Sequence, residues 1–454
     1  MKPLYEKILK KITPAKKELE KEKLLVEKIR KKIENIDGKH SHVEWCGSSA
    51  RGTHLLGDRD IDLFVMFDQK ISDAELEKEG LRIGKAVFRG KKWKKAYSQH
   101  PYIRGVFEGF DVEVVPSYIV EHGHLKKSAV DRTPFHNRYL LKRLNEKNQK
   151  EVRLLKQFMK GIGAYGADLK NNALPGYGIE LLVITYGAFE NALKQISNWQ
   201  PGKIISFGAD EKIAKENFKG APLIIVDPVD ENRNVASALS LEQFNRMILA
   251  AKLFLKKPSE KFFFSAKTKK WAKGKIAKML KKTELIAVKG KFPTTILPDL
   301  VWGQLARFEK KISTHFKEND FSIMRSTHWS DEKNVFFIFE LESLRLQKAK
   351  KIIGPFASDA ENSKKFLEKK RKILSGPRIE KGRLVLEIER SENEIHAKKI
   401  LEKFLKKSKC EEKSGIRICI KSAKVLAEKD LLREYKGKFA EYLTTYLSGK
   451  EVFE

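Results

Sequence analysis

The stretch from Trp45 to Phe67 constrains this chain more than any other. It reads Trp-Cys-Gly-Ser-Ser-Ala-Arg-Gly-Thr-His-Leu-Leu-Gly-Asp-Arg-Asp-Ile-Asp-Leu-Phe-Val-Met-Phe. A glycine-serine turn at Gly47-Ser48 opens a short helix, a second glycine turn follows, and an apolar strand begins at Asp60. Glycine lacks the Cβ that would hold a ligand off the backbone, and amides at a helix start favour phosphate. The period of two along a strand puts Asp60 and Asp62 on one face. Carboxylates that close repel unless a cation neutralises them, and an oxygen-only donor set suits magnesium. The combination reads as a metal–nucleotide site.

A second stretch alternates in the same way. In Phe110-Asp-Val-Glu-Val-Val-Pro116, Phe110, Val112 and Val114 line one face while Asp111 and Glu113 line the other, and Pro116 ends the run. Two neighbouring strands that each present acids are what a two-ion site needs. Asp60 and Asp62 supply the first two ligands; for the third, Glu113 and Asp111 share a face and both remain candidates.

Charge identifies the class of partner. Lysine and arginine outnumber aspartate and glutamate by 93 − 60 = 33 in 454 residues, which implies a polyanion, with nucleic acid favoured. Residues of the apolar classes make up 41%, so the chain is globular and long enough for about three domains. The cysteines, Cys46, Cys410 and Cys419, form no Cys-x-x-Cys pair, which argues against a zinc finger or disulfide framework. Neither a signal-peptide pattern nor a membrane-length apolar run stands out, so a cytoplasmic protein is expected.

Around this centre, periodicity predicts a lysine- and glutamate-rich segment over 3–36 that Pro14 breaks into two helices. A strand is expected at 43–45, a helix over 72–88 and a strand at 102–107. A polar turn from Ser128 to His136 leads into a mostly helical section. It carries a helix over 179–193, a strand at 223–228, a loop at 229–235 and a helix over 240–255. Beyond Pro258 lysines thicken, most densely over 261–282. Strands at 285–288, 321–325, 335–341 and 384–388, with helices at 300–316 and 344–353, spell the order of a ferredoxin-like unit. Phe336, Phe337 and Phe339 are expected in its core rather than on a base-stacking platform. Domains are drawn at 1–145, 146–258 and 259–454, with a candidate internal boundary near 376.

The Gly-Ser turn followed by an Asp-x-Asp strand resembles the signature of the polymerase-beta nucleotidyltransferase superfamily. Its longer form, Gly47 to Thr53 and Asp60-Ile61-Asp62, is similar to the archaeal-type (class I) CCA-adding tRNA nucleotidyltransferases. Ser128 to His136, Glu151 to Lys156, Tyr165-Gly166 and Asp227 to Asn234 resemble the same branch, so the likeness concentrates over residues 40–258. It implies an α+β multidomain fold: a mixed or antiparallel-sheet nucleotidyltransferase head, a helical central domain and α+β, ferredoxin-like C-terminal domains. It also implies addition and repair of the 3′-terminal CCA of tRNA from CTP and ATP, without a template, with two Mg2+ ions and release of pyrophosphate.

Residue by residue, the resemblance makes Asp60, Asp62 and Glu113 the metal ligands. Glu113 stands ahead of Val114-Val115-Pro116, where many relatives carry aspartate. Ser48 and Arg51 would contact the triphosphate. His136, Lys156 and Tyr165 would hold the sugar and phosphates, and Arg233 would offer donors to the incoming base. Taken singly, a histidine after Pro-Phe is usually a capping or packing residue, Tyr165 before a glycine core or turn, and Arg233 in a polar loop solvated. The basic C-terminal half would take the acceptor stem and T-arm of tRNA through shape and phosphates. A poly(A) polymerase, an oligoadenylate-type synthetase and a catalytically inactive RNA-binding relative are the alternatives, and a homodimer stays open.

Overall fold

The computed structural model describes residues 1–37, 42–97, 100–120, 129–264, 269–294, 298–411 and 414–453. Ser128, the start of the expected polar turn, and residues 265–268 of the basic run lie outside them. The chain forms two compact units, Met1–Ala266 with Glu451–Glu454, and Lys267–Lys450.

The first unit opens with α1 (Lys2–Ile12) and α2 (Lys16–Asp37), separated around Pro14 as expected. β1 (His42–Cys46), α3 (Gly47–Ala50), β2 (Asp60–Phe67), α4 (Asp73–Val87), β3 (Trp93–Tyr97), β4 (Pro101–Phe107) and β5 (Phe110–Tyr118) follow. The strands form one mixed sheet in the order β1-β2-β5-β4-β3. Only the β2–β5 pairing is parallel. Alternation decides the faces. Ile61, Leu63, Val65, Val112 and Val114 pack with Ile29 and Ile33 of α2 and Leu76 and Ile83 of α4. Phe64 and Met66 turn the other way, onto Cys46, Val115 and Val130. That second face carries Asp60 and Asp62 at the start of β2. α4 is held in place by a capping box between Ser72 and Glu75, worth about 1 kcal/mol.

The helical section comprises α5 (Arg132–Leu141), α6 (Glu146–Gly161), α7 (Gly176–Tyr186), α8 (Phe189–Ile196), β6 (Lys203–Ile205), α9 (Glu211–Asn217), β7 (Leu223–Asp227), β8 (Asp230–Asn234) and α10 (Leu241–Lys256). Two expectations change here. The single helix over 179–193 is two, because Gly187 adopts φ +78 and ends α7 in a left-handed cap. The loop at 229–235 is largely the strand β8, hairpinned onto β7. Its residues are polar and show no apolar alternation. Asn234 secures it, accepting from the amides of Ile225 and Ala236 and donating to the carbonyl of Leu223. The core centres on Leu154, Leu155, Phe158 and Met159 of α6, packed with Phe189 and Phe254.

The second unit runs α11 (Lys273–Leu280), β9 (Glu284–Lys291), α12 (Pro298–Glu318), β10 (Ile323–Ser330), β11 (Asn334–Leu341), β12 (Ala349–Phe356), α13 (Ala360–Glu368), β13 (Ile373–Glu380), β14 (Arg383–Glu389), α14 (Ala397–Glu411), α15 (Arg417–Lys421), β15 (Lys424–Leu426), α16 (Glu428–Glu434) and α17 (Gly437–Ser448). An antiparallel sheet ordered β10-β11-β9-β15 gives the ferredoxin-like topology. Its second helix and fourth strand are α14 and β15, however, not the segments 344–353 and 384–388. Residues from Ala349 form a strand: Ile352-Ile353 is β-branched, Gly354-Pro355 opposes a helix, and the partner that extends it is β14. β12, β14 and β13 make a separate three-stranded insertion, and Gly376 lies inside β13. β11 is covered on both sides. Phe337 and Phe339 face α12 and α14, while Phe336 faces the α11–α16–α17 side, so all three are core as expected.

Candidate active site

β2 and β5 set four carboxylates in two rungs, Asp60 beside Asp111 and Asp62 beside Glu113. Arg104 projects among them from β4, where it pairs in register with Glu113. Its Nη2 lies 3.5 Å from Asp60 and 3.8 Å from Asp111, and its Nη1 lies 3.2 Å from Glu113. The Asp111 side chain is 49% exposed and that of Glu113 20%. Gly47 closes the cluster: with φ +82, a Cβ there would sit 2.2 Å from Asp62 Oδ2, so only glycine lets the turn approach.

The electrostatics follow from this crowding. Burial, then Glu113 and Asp60, push the Asp62 carboxyl up to about 7. Burial also raises Asp60 and Glu113, with Arg104 acting against it. Among the described residues no three His, Cys, Asp or Glu side chains form a closed ion-binding group. In this cluster Arg104 serves as the counter-charge. The donor set nevertheless fits a hard divalent cation: it is all oxygen, and its ionised forms are unfavourable until positive charge arrives.

A second cluster lies where the glycine turn meets the helical section. Glu180, fully buried on α7, accepts from Arg51 Nη2 at 2.9 Å and Nε at 3.3 Å, from Lys156 Nζ at 3.3 Å, and from the Thr53 hydroxyl. Arg51 also donates from Nη1 to Asn137 Oδ1 at 3.1 Å, and Asn137 donates in turn to the Trp45 carbonyl at 3.1 Å. Burial would raise the Glu180 carboxyl, but Arg51 and Lys156 outweigh it and hold the group at about 2. Lys156 is lowered by the same burial, with Glu180 opposing. Ser48 is half-buried, and its carbonyl accepts from the Thr53 amide at 2.9 Å, which closes the loop.

A third cluster surrounds Asp227 at the end of β7. Its Oδ2 lies 2.7 Å from His136 Nε2 and accepts from Arg233 Nη1 at 2.8 Å, and its Oδ1 accepts from the Tyr177 hydroxyl at 3.2 Å. The His136 and Tyr177 rings stack with centroids 4.1 Å apart. Tyr165 belongs beside the second of these groups: a Cβ at Gly176 would lie 3.1 Å from its hydroxyl and 3.7 Å from Lys156 Nζ, and Asp58 and Glu180 add to the burial that raises its phenol. Its ring faces Lys160 Nζ at 5.2 Å, Lys160 is bonded to Asp58 just ahead of β2, and burial lifts the phenol to about 12.

The nine residues singled out from the sequence therefore fall mainly into three groups: the acids on the sheet, Arg51 with Lys156, and His136 with Arg233. The residues that organise these groups, Arg104, Glu180, Asp227 and Tyr177, carried no assigned role. Glu180 had a signal, being the one acid in the apolar run Ile179 to Ile184. Arg104 had none, since a single arginine in a strand is ordinary.

Three family descriptions match the chain in order: a nucleotidyltransferase domain over residues 26–136, the second domain of tRNA nucleotidyltransferase over 150–264, and the C-terminal domain of the CCA-adding enzyme over 281–427. The CCA-adding enzyme of Methanocaldococcus jannaschii is 37% identical over 388 residues, covering 82% of this chain and 84% of the relative. That of Sulfurisphaera tokodaii is 35% identical over 381 residues, covering 84% and 87%. That of Methanosarcina barkeri is 36% identical over 390 residues, covering 84% and 85%. With a head, a helical section and a ferredoxin-like unit in this order, the chain belongs to the archaeal-type CCA-adding tRNA nucleotidyltransferase family.

Proposed function

We propose that this chain adds and repairs the 3′-terminal CCA of tRNA, using CTP and ATP and no nucleic-acid template. The observation that carries the reading is the parallel register of β2 and β5, which sets Asp62 beside Glu113 and Asp60 beside Asp111 under a glycine turn. Asp60, Asp62 and Glu113 are assigned as the metal-holding carboxylates. Glu113 is favoured over Asp111 because it neighbours the inner acid and is the more buried of the two. Two magnesium ions, when bound, favour ionisation of the RNA 3′-hydroxyl and neutralise the pyrophosphate that leaves.

The remaining steps belong to the chain. Ser48, on the turn, is assigned to the triphosphate. Arg51 and Lys156 reach the same loop from a buried anchor, so incoming phosphate shares them with Glu180. Tyr165 and His136 are assigned to the nucleotide's sugar and phosphates, and Arg233 to the base, its guanidinium fork donating to acceptors on the Watson–Crick edge. The surplus of 33 positive charges supports a tRNA partner, and the acceptor stem and T-arm are the assigned contacts.

The test uses tRNA transcripts ending at the discriminator base, after C, or after CC, each with magnesium and one labelled nucleotide at a time. Two additions of C and one of A, with no extension of finished ends, is the expected result. Long A tails would move the reading to a poly(A) polymerase. Asp60→Ala and Asp62→Ala are expected to abolish transfer and leave tRNA binding nearly intact; loss of both together would count against their assignment as ligands.

A further inference from the structure

We propose that Asp227 is the positioning residue for nucleotide choice, one buried carboxylate that fixes both the Arg233 guanidinium and the hydrogen-bonding polarity of His136. The inference rests on the reading of Arg233 as the contact to the incoming base and names what makes that contact selective.

Asp227 is completely buried, whereas Arg233 is 32% and His136 13% exposed. The carboxylate is thus an inner anchor with two partners that reach outward. A carboxylate accepts only, and His136 and Arg233 hold Asp227 low against the burial that would raise it. Burial holds His136 below the usual imidazole range, so the ring is neutral; the hydrogen directed at Oδ2 sits on Nε2, which leaves Nδ1 as the acceptor of the ring. The Tyr177 stack fixes the plane of the imidazole, and the Tyr177 hydroxyl occupies the other carboxylate oxygen. Arg233 gives one Nη1 hydrogen to Asp227. With one corner tied, the fork can rotate less, and its remaining donors keep a fixed direction. The pocket then offers donors and an acceptor at set angles. Such a set distinguishes cytosine from uracil and adenine from guanine, whose Watson–Crick edges exchange donors for acceptors.

Arg132 and Asp230 provide the internal comparison. They form a part-buried ion pair of 2.8 Å, and Asp230 lies on the same β7–β8 hairpin. The experiment measures kcat/KM of the full chain for CTP against UTP on a tRNA ending at the discriminator base, and for ATP against GTP on one ending in CC. Asp227→Asn is expected to lower both ratios roughly tenfold. Asp230→Asn should lower Tm comparably and leave both ratios unchanged. If the asparagine variant does not fold, Asp227→Glu keeps the charge and displaces it, with the same loss of selection expected.

Unchanged ratios in the Asp227 variants, alongside blurred choice in Arg233→Ala, would overturn the positioning role and leave Arg233 as the base contact. Equal loss of selection in Asp230→Asn would also overturn it, as general damage to the hairpin. Unaltered choice in Arg233→Ala would remove the underlying reading, and this proposal with it.

Discussion

Glu180→Gln tests the buried anchor between the glycine turn and the helical section. The substitution preserves shape and removes one charge from a site with three donors, two of them cations: Arg51 at 2.9 Å and Lys156 at 3.3 Å. All three charged side chains are 8% exposed or less, so water cannot take over as counter-charge. Removing one partner of such a buried pair costs about 3–5 kcal/mol, mostly because the remaining charge is left uncompensated. At about 2–4 °C per kcal/mol for a unit of this size, the transition of the first unit should fall by roughly 6–20 °C. The direction with pH is also set. The Glu180 carboxyl is held at about 2, below its usual value. Its stabilisation is therefore fully present above about pH 4.5 and lost as pH falls toward 2. Calorimetry of both proteins between pH 4.5 and 8 should show a constant gap that narrows only in stronger acid. Glu180→Gln combined with Lys156→Met should recover part of the loss, because it also removes one stranded cation. A drop below about 2 °C, or a gap that grows on acidification, would refute the argument.

Three further outcomes follow from the same electrostatics and packing. Arg104→Ala removes the cation that lies among Asp60, Asp111 and Glu113; a magnesium titration of thermal stability should then show a midpoint lowered a few-fold, and a raised midpoint would contradict its role as counter-charge. Gly47→Ala places a Cβ 2.2 Å from Asp62 Oδ2 at φ +82, so transfer should fall at least about a hundredfold while far-ultraviolet circular dichroism stays folded. Burial, then Glu18, raises Glu22 to about 7, beside a His54 that burial and nearby cations lower to about 4. A raised carboxyl stabilises fully below its unfolded value and loses that contribution as pH climbs to about 7. Glu22→Gln should therefore gain stability over the native protein between pH 5 and 8, and equal melting curves at pH 8 would sink the assignment.

Much of the head is legible in the sequence. Turn glycines and a period-two strand are local, so Gly47-Ser48, Asp60 and Asp62 identify themselves from their immediate neighbours. The same holds for the helices on either side of Pro14 and for the capped start of α4. Apart from the local cap at Gly187 that splits the helix over 179–193, the differences fall where local pattern and long-range pairing disagree. β8 is polar and becomes a strand through β7 and Asn234. Residues 349–353 resemble a helix and become a strand because β14 lies alongside. The ferredoxin-like order was anticipated, but its closing strand is β15, a three-residue segment too short to announce itself.

The sequence by itself determined the chemistry available: acids on two strands, a glycine-serine turn just ahead of them, and a surplus of 33 positive charges. The tertiary structure alone decided how those groups are held. The parallel register of β2 and β5 sets Glu113 beside Asp62 and Asp111 beside Asp60, which spacing left open. Glu180 and Asp227 each tether residues far away in the chain, Arg51 to α7 and His136 to the β7–β8 hairpin. No periodicity records such a pairing, because a buried charge is satisfied by whichever opposite charge the fold brings within reach, and that is a property of packing.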